Sequence, residues 1–291
     1  MRDLLFVILL TTAVSGCYEE SKTRANKPTS LEITLNESFH SFVERYPSVR
    51  KTQPLGEKGG AIFYKFFWSE EESAKIIVNY GSGEIEIDNV INFNMLESDY
   101  KSKEGITHIT FDAGITYDKT INHDEARLKF HEFLQKLANN GWKRMISLAE
   151  PRLFGSQAMH YTREKDSTFS LDTNYLPSLK EWMAIDKLGT YWQLQLDNRA
   201  FMSIDLKRRD SKTESDMGIY LLSITIKNDQ EMGRSHFPPQ EKENWNDLKK
   251  WEETKDKYFK LREGTEKDLL SKGYKIDESY EDYDISPHVS E

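Results

Sequence analysis

Cysteine is nearly absent from this 291-residue chain: Cys17 is the only one, so no disulfide can form within it. Stability must therefore come from packing. Motifs that carry chemistry are equally scarce. There is no Gly-x-Ser-x-Gly elbow, since Gly81-Ser82-Gly83 falls short of it and reads as a turn. No HExxH pair occurs, and neither kind of glycine-rich phosphate loop is present. His123 and His131 fall on roughly one side of a helix, but two imidazoles without a placed third ligand make a weak metal site. Positive charge is outnumbered, with 40 Lys and Arg against 49 Asp and Glu, a net charge of −9. That balance argues against nucleic acid, whose phosphates demand a basic face, and against broad docking on anionic lipid. These absences together predict no enzymatic turnover, no cofactor, no metal and no small-molecule substrate.

Long apolar runs are also missing, save one. Leu4–Val14 follows Met1-Arg2-Asp3 and leads into Val14-Ser15-Gly16-Cys17. A charged start, an apolar core and small residues before a cut site make residues 1–16 a secretory signal. The run is too short to span a bilayer, which needs roughly 20 apolar residues. Cys17 directly after Ser15-Gly16 resembles the lipobox of bacterial lipoproteins. The resemblance implies cleavage before Cys17 and diacylation of its thiol, leaving the mature chain anchored in a membrane. Tyr18 stands where an Asp would resemble an inner-membrane retention signal, so the expected location is the outer membrane, facing the periplasm. Cleavage removes Arg2 and Asp3 together and leaves the net charge at −9. Residues 17–30 are polar without a hydrophobic period and read as a tether.

The remainder predicts an α+β protein of two similar lobes, each a helix packed on an antiparallel sheet, with a helical C-terminal segment. The first lobe covers residues 31–116. Asn36 is placed to cap a helix carrying Leu35, Phe39, Phe42, Val43 and Tyr46, which Pro47 closes. Strands follow at Ala61–Trp68, Lys75–Tyr80, Glu84–Met95 and Thr107–Phe111, with Gly81-Ser82-Gly83 as a hairpin turn. The second lobe covers 117–236. Asn122 and Glu125 open its helix as a capping box, Ala126, Phe130, Phe133, Leu134 and Leu137 form the stripe, and Gly141 ends it. Trp142–Leu148 reads as a strand, Ser178 and Glu181 as a second capping box, and Tyr191–Leu196 and Ala200–Leu206 as a hairpin across Asp197-Asn198-Arg199. Ile219–Ile226 adds a last strand. Phe39-His40-Ser41-Phe42-Val43 echoes Phe130-His131-Glu132-Phe133-Leu134, and Ala61–Tyr64 echoes Ala158–Tyr161. Residues 237–291 form a Lys- and Glu-rich helical segment with an acidic tail, which reads either as frayed or as a strip that mimics a partner.

Aromatic and arginine residues concentrate in the second lobe. Interfaces are enriched in Trp, Tyr and Arg because these bury much area for little lost rotamer freedom. Loops on a rigid sheet are common binding elements, which selects Arg152, Phe154, Tyr175 and Trp182 as partner-binding candidates. The runs Asn139–Lys143, Glu150–Gly155, Tyr175–Met183 and Tyr191-Trp192 resemble lipoproteins encoded beside type VI secretion effectors. Those are periplasmic immunity proteins, particularly ones that neutralise secreted phospholipases. The resemblance implies a two-lobed binder that clasps a secreted toxin and blocks its active-site entrance. The alternatives are a structural or assembly lipoprotein of the outer envelope and a lipid-binding or enzymatic lipoprotein.

Overall fold

A computed structural model of the protein describes residues 28–51, 61–68, 72–81, 83–98, 104–117, 120–165 and 169–286. Residues 1–27, which hold the expected signal sequence, Cys17 and most of the expected tether, lie outside the described residues. From the N-terminus come β1 (Ser30–Thr34), α1 (Phe39–Arg45), β2 (Arg50–Lys51), β3 (Ala61–Phe67), β4 (Ala74–Tyr80), β5 (Gly83–Ser98) and β6 (His108–Gly114). There follow β7 (Ile121–Asn122), α2 (His123–Asn139), β8 (Lys143–Arg144), α3 (Ser156–Lys165) and α4 (Leu179–Leu188). The chain then runs through β9 (Tyr191–Leu196), β10 (Ala200–Asp210), β11 (Met217–Asn228), α5 (Asp229–Arg234), a 3-10 helix (Pro239–Asn246) and α6 (Leu248–Ser271).

The fold is α+β, built among the described residues on one mixed sheet of 11 strands in the order β1-β4-β5-β6-β11-β10-β9-β8, with β3 beside β5, β2 beside β3 and β7 beside β11. The expected sheets are not separate. β6 pairs antiparallel with β11 from His108↔Lys227 to Gly114↔Leu221, which fuses strands of both halves. The β1–β4 pair is parallel, so the sheet is mixed where an antiparallel one was expected. β3 and β4 lie end to end along one side of β5, which is why β5 is long enough to serve both. The outer side of β1 is closed by α1: Tyr46 Oη accepts from the Glu32 N–H at 2.9 Å and Glu37 Oε1 from the Thr34 N–H at 2.8 Å. These bonds occupy the outward N–H groups of Glu32 and Thr34, which another strand would otherwise pair with.

Alternation along the strands divides the sheet into two faces. The inner face carries Ile33, Phe93, Phe111, Ile204 and Ile224, which pack with Phe42 of α1, Phe130 of α2 and Trp182 of α4 into one core. Ser38, not Asn36, caps α1, its hydroxyl accepting from the Ser41 N–H at 3.0 Å. Asn36 is left-handed at φ 71 and accepts a hydrogen bond from Asn228, a tie between the halves. Asn122 caps α2 by accepting from the Asp124 and Glu125 N–H groups, but Glu125 pairs with Lys129 and does not close the expected box. The Ser178–Glu181 box of α4 forms in full. Trp142–Leu148 contributes only the two residues of β8. Ala158–Tyr161 lies within α3, whereas Ala61–Tyr64 lies in β3, so that echo joins unlike structures.

On the outer face, Phe201 of β10 is covered by a separate C-terminal layer with Met145, Leu148, Met232, Trp251, Tyr283 and Ile285. The stripe of α6 looks irregular in sequence because two of its buried members are charged. Arg262 pairs with Asp282 at 2.6 Å and Glu266 with Arg152 at 2.7 Å. Leu248 and Leu261 of the same helix face solvent. Through Ser286 the acidic tail is neither frayed nor an exposed strip, because Tyr283 and Ile285 are core residues.

His236 is locked in this layer, its ring against Trp251, Tyr258 and Tyr283 and its Nε2 2.7 Å from Tyr283 Oη. Burial first, then the Lys227 charge, pushes the imidazole from its ordinary 6.5 down to about 4. Its folded pKa is depressed, so stability is fully present above pH 6.5 and is lost as pH falls towards 4. The loss amounts to ~3 kcal/mol. In urea melts, His236→Gln should show a smaller fall in midpoint between pH 7 and pH 4.5 than wild type. Parallel pH profiles would contradict this role.

Candidate functional site

Two loops and the start of α4 meet at the β8–β9 end of the sheet. Asp172 holds them together: its carboxylate accepts from the Gly155 N–H at 2.7 Å and the Asn174 N–H at 2.9 Å, and its carbonyl from the Tyr175 N–H at 3.2 Å. Such an Asx-type brace fixes a loop without secondary structure. The second brace is the α4 cap. Glu181 accepts from the Ser178 N–H at 2.7 Å and from Tyr175 Oη at 3.0 Å, while Ser178 Oγ accepts from the Glu181 N–H at 3.3 Å. Burial pushes the Glu181 carboxyl up, but the bonds from Ser178 and Tyr175 outweigh it and hold it below the usual range. The same phenol is pushed up, by burial first and then by Glu181. A third link comes from α2, where Arg127 donates to the Pro177 carbonyl at 3.0 Å.

Apolar side chains protrude from this braced unit. Phe154 is 39 % exposed, Leu176 38 % and Leu179 44 %. Each lies within a few residues of a brace, so the unit presents them with little loop entropy to lose on contact. Chemically the cluster offers apolar contact with a polar rim. Among the described residues no group of three or more His, Cys, Asp and Glu is placed to hold a metal ion.

The four candidates from sequence have different fates. Phe154 lies on the surface beside the Gly155–Asp172 brace. Tyr175 is half-buried and braces the loop through Glu181. Arg152 makes a bidentate pair with Glu266, Nε to Oε1 at 2.9 Å and Nη2 to Oε2 at 2.7 Å. That partner holds its guanidinium above the ordinary range, and Arg152 ties the loop to α6. Trp182 is 1 % exposed. Its indole N–H donates to Tyr220 Oη at 3.0 Å and its ring stacks on Tyr220 at 5.4 Å, so it belongs to the core and cannot reach a partner. Leu176 and Leu179 were missed. Leu179 is the first residue of a capped helix, and an apolar residue outside the buried stripe was the available signal.

Comparison with known proteins adds nothing to this geometry. No family model matches the chain, and no curated protein or solved structure is similar to it.

Stability separates these roles. Trp182→Ala should cost about 3–5 kcal/mol, the range for emptying a large buried aromatic site. Arg152→Ala should cost about 3 kcal/mol by stranding the buried Glu266 carboxylate. Phe154→Ala should stay within about 1 kcal/mol of wild type. Urea unfolding of the three variants checks the order, and a Phe154 loss equal to that of Trp182 would contradict it.

Proposed function

We propose that this protein is an outer-membrane lipoprotein, anchored at Cys17 and facing the periplasm, that serves as an immunity protein. It binds a type VI secreted toxin, of phospholipase or lipase type, and blocks the entrance to the toxin's active site. It does so stoichiometrically, without turnover. The observation that carries this reading is the braced loop cluster with its apolar tips Phe154, Leu176 and Leu179. Inhibition by occlusion needs a rigid protruding surface and no reactive group. Tethering supports it, because an anchor confines the binder to the compartment the toxin enters and raises its local concentration. The acid excess adds long-range steering towards a basic partner.

The two halves are read as similar units. In each, a helix precedes an antiparallel meander, β3/β4-β5-β6 after α1 and β9-β10-β11 after α2, and the two last strands meet in the middle of the sheet. Phe39 and Phe42, like Phe130 and Phe133, lie on those helices.

The reading is tested by mixing the mature protein with the secreted toxin encoded beside its gene. Light scattering should find a complex of fixed ratio, and lipid hydrolysis should stop at equivalence. Full hydrolysis with the protein in molar excess would refute it.

A further inference from the structure

The outer face of the sheet is not covered evenly. Over the second half it is roofed by the C-terminal layer through Phe201. Over the first half apolar side chains stand at the surface. Phe67 of β3 is 59 % exposed, and Ile91, in the β5 bulge beside it, is 36 % exposed. The same face continues along the β3–β5 pair to the half-buried Phe63 and Leu96, which lie opposite one another in register. Lys65 Nζ stands 5.0 Å from the Phe63 ring centroid.

This patch lies where the chain enters the fold. Trp68, the next residue after Phe67, donates its indole N–H to the Pro28 carbonyl at 2.9 Å. Lys75, at the start of β4, donates to the Thr29 carbonyl at 3.0 Å. The N-terminal segment is thus fixed at the end of β3 next to Phe67, through the inner-face residue Trp68. Ten residues lie between Cys17 and Pro28, and the eleven Cα steps they make span at most ~40 Å fully extended.

We infer that the outer face of the first half, around Phe67 and Ile91, rests on the lipid surface that holds the Cys17 acyl chains. The inference rests on the lipid anchor proposed above. A short tether attached one residue from an exposed aromatic keeps that residue within reach of the headgroup region, where aromatic and aliphatic side chains insert favourably and a lysine beside them meets phosphates. The contact is small and depends on the tether for its local concentration. It also orients the molecule. β9 lies five strands from β3 across the sheet, ~24 Å at the usual spacing, so the Phe154–Leu176–Leu179 cluster is presented away from the membrane contact.

The test uses the mature lipidated protein, purified from membranes and placed in vesicles of phosphatidylethanolamine and phosphatidylglycerol. The native thiol carries the lipid, so an introduced cysteine is the only site for a fluorescent label. Asn92→Cys, opposite Phe67 in register, reports on the patch, and Leu179→Cys reports on the distant loop cluster. Spin-labelled lipid should quench the label at 92 several-fold more than the label at 179. Adding Phe67→Ser and Ile91→Ser should abolish that difference. Equal quenching at 92 and 179, in protein that has incorporated labelled palmitate, overturns the docking and leaves the anchor standing. Protein that takes up no palmitate overturns the anchor and the docking with it.

Discussion

Deletion of residues 280–291 is expected to lower the melting temperature by about 10–20 °C, equivalent to about 5 kcal/mol for a chain of this size. The deletion removes Tyr283 and Ile285, both buried against Phe201 and Trp251. Emptying one buried aliphatic site typically costs about 2–5 kcal/mol and one aromatic site about 3–5, with shared neighbours making the sum less than additive. Polar losses follow. Buried Arg262 loses Asp282 at 2.6 Å, and the Trp251 indole loses Ser286 Oγ at 2.8 Å. The Ile146 N–H loses the Tyr280 hydroxyl at 2.7 Å. Tyr283→Phe keeps the ring and removes only the hydroxyl bonded to His236, so it should cost about 1 kcal/mol. Calorimetry of the two variants distinguishes a docked tail from a dispensable one. A truncated chain that melts like wild type would contradict the docking.

The second large effect concerns the loop cluster. On the proposed function, Phe154→Asp together with Leu179→Asp should weaken toxin binding roughly 1000-fold, since central apolar anchors are worth about 2 kcal/mol or more each. Both side chains are exposed, so the variant should melt within a few degrees of wild type. Titration calorimetry on the folded variant measures the effect. Arg152→Ala and Trp182→Ala are poor probes of the same surface, because each strands a buried partner and confounds binding with folding.

Much of the architecture was legible in local signals. The Ser178–Glu181 box, the Asn122 cap and the hairpin turns at Gly81 and at Asp197-Asn198 are fixed by chemistry within a few residues. The alternation in Ile85, Ile87 and Ile219–Ile226 follows from one buried face. Strand pairing over long separations was not legible. Nothing local to His108–Gly114 says that its neighbour is Met217–Asn228, and that pairing merges the halves into one sheet. The tail was misread because its acids suggested solvent, whereas Asp282 answers a buried arginine some twenty residues away on α6. The site was half legible for a related reason. Trp and Arg density suggested an interface, yet all six tryptophans are buried and Arg152 and Arg208 are paired with acids. The protruding residues proved to be a phenylalanine and two leucines, whose exposure depends on where the chain is braced.

Survival of cells that direct the neighbouring toxin to their own periplasm tests the central claim most directly. Co-expression of the exported wild-type protein should rescue growth. The Phe154→Asp, Leu179→Asp variant, accumulating to the same level, should fail to rescue. Equal killing with and without the wild-type protein, or equal rescue by the variant, would contradict the account.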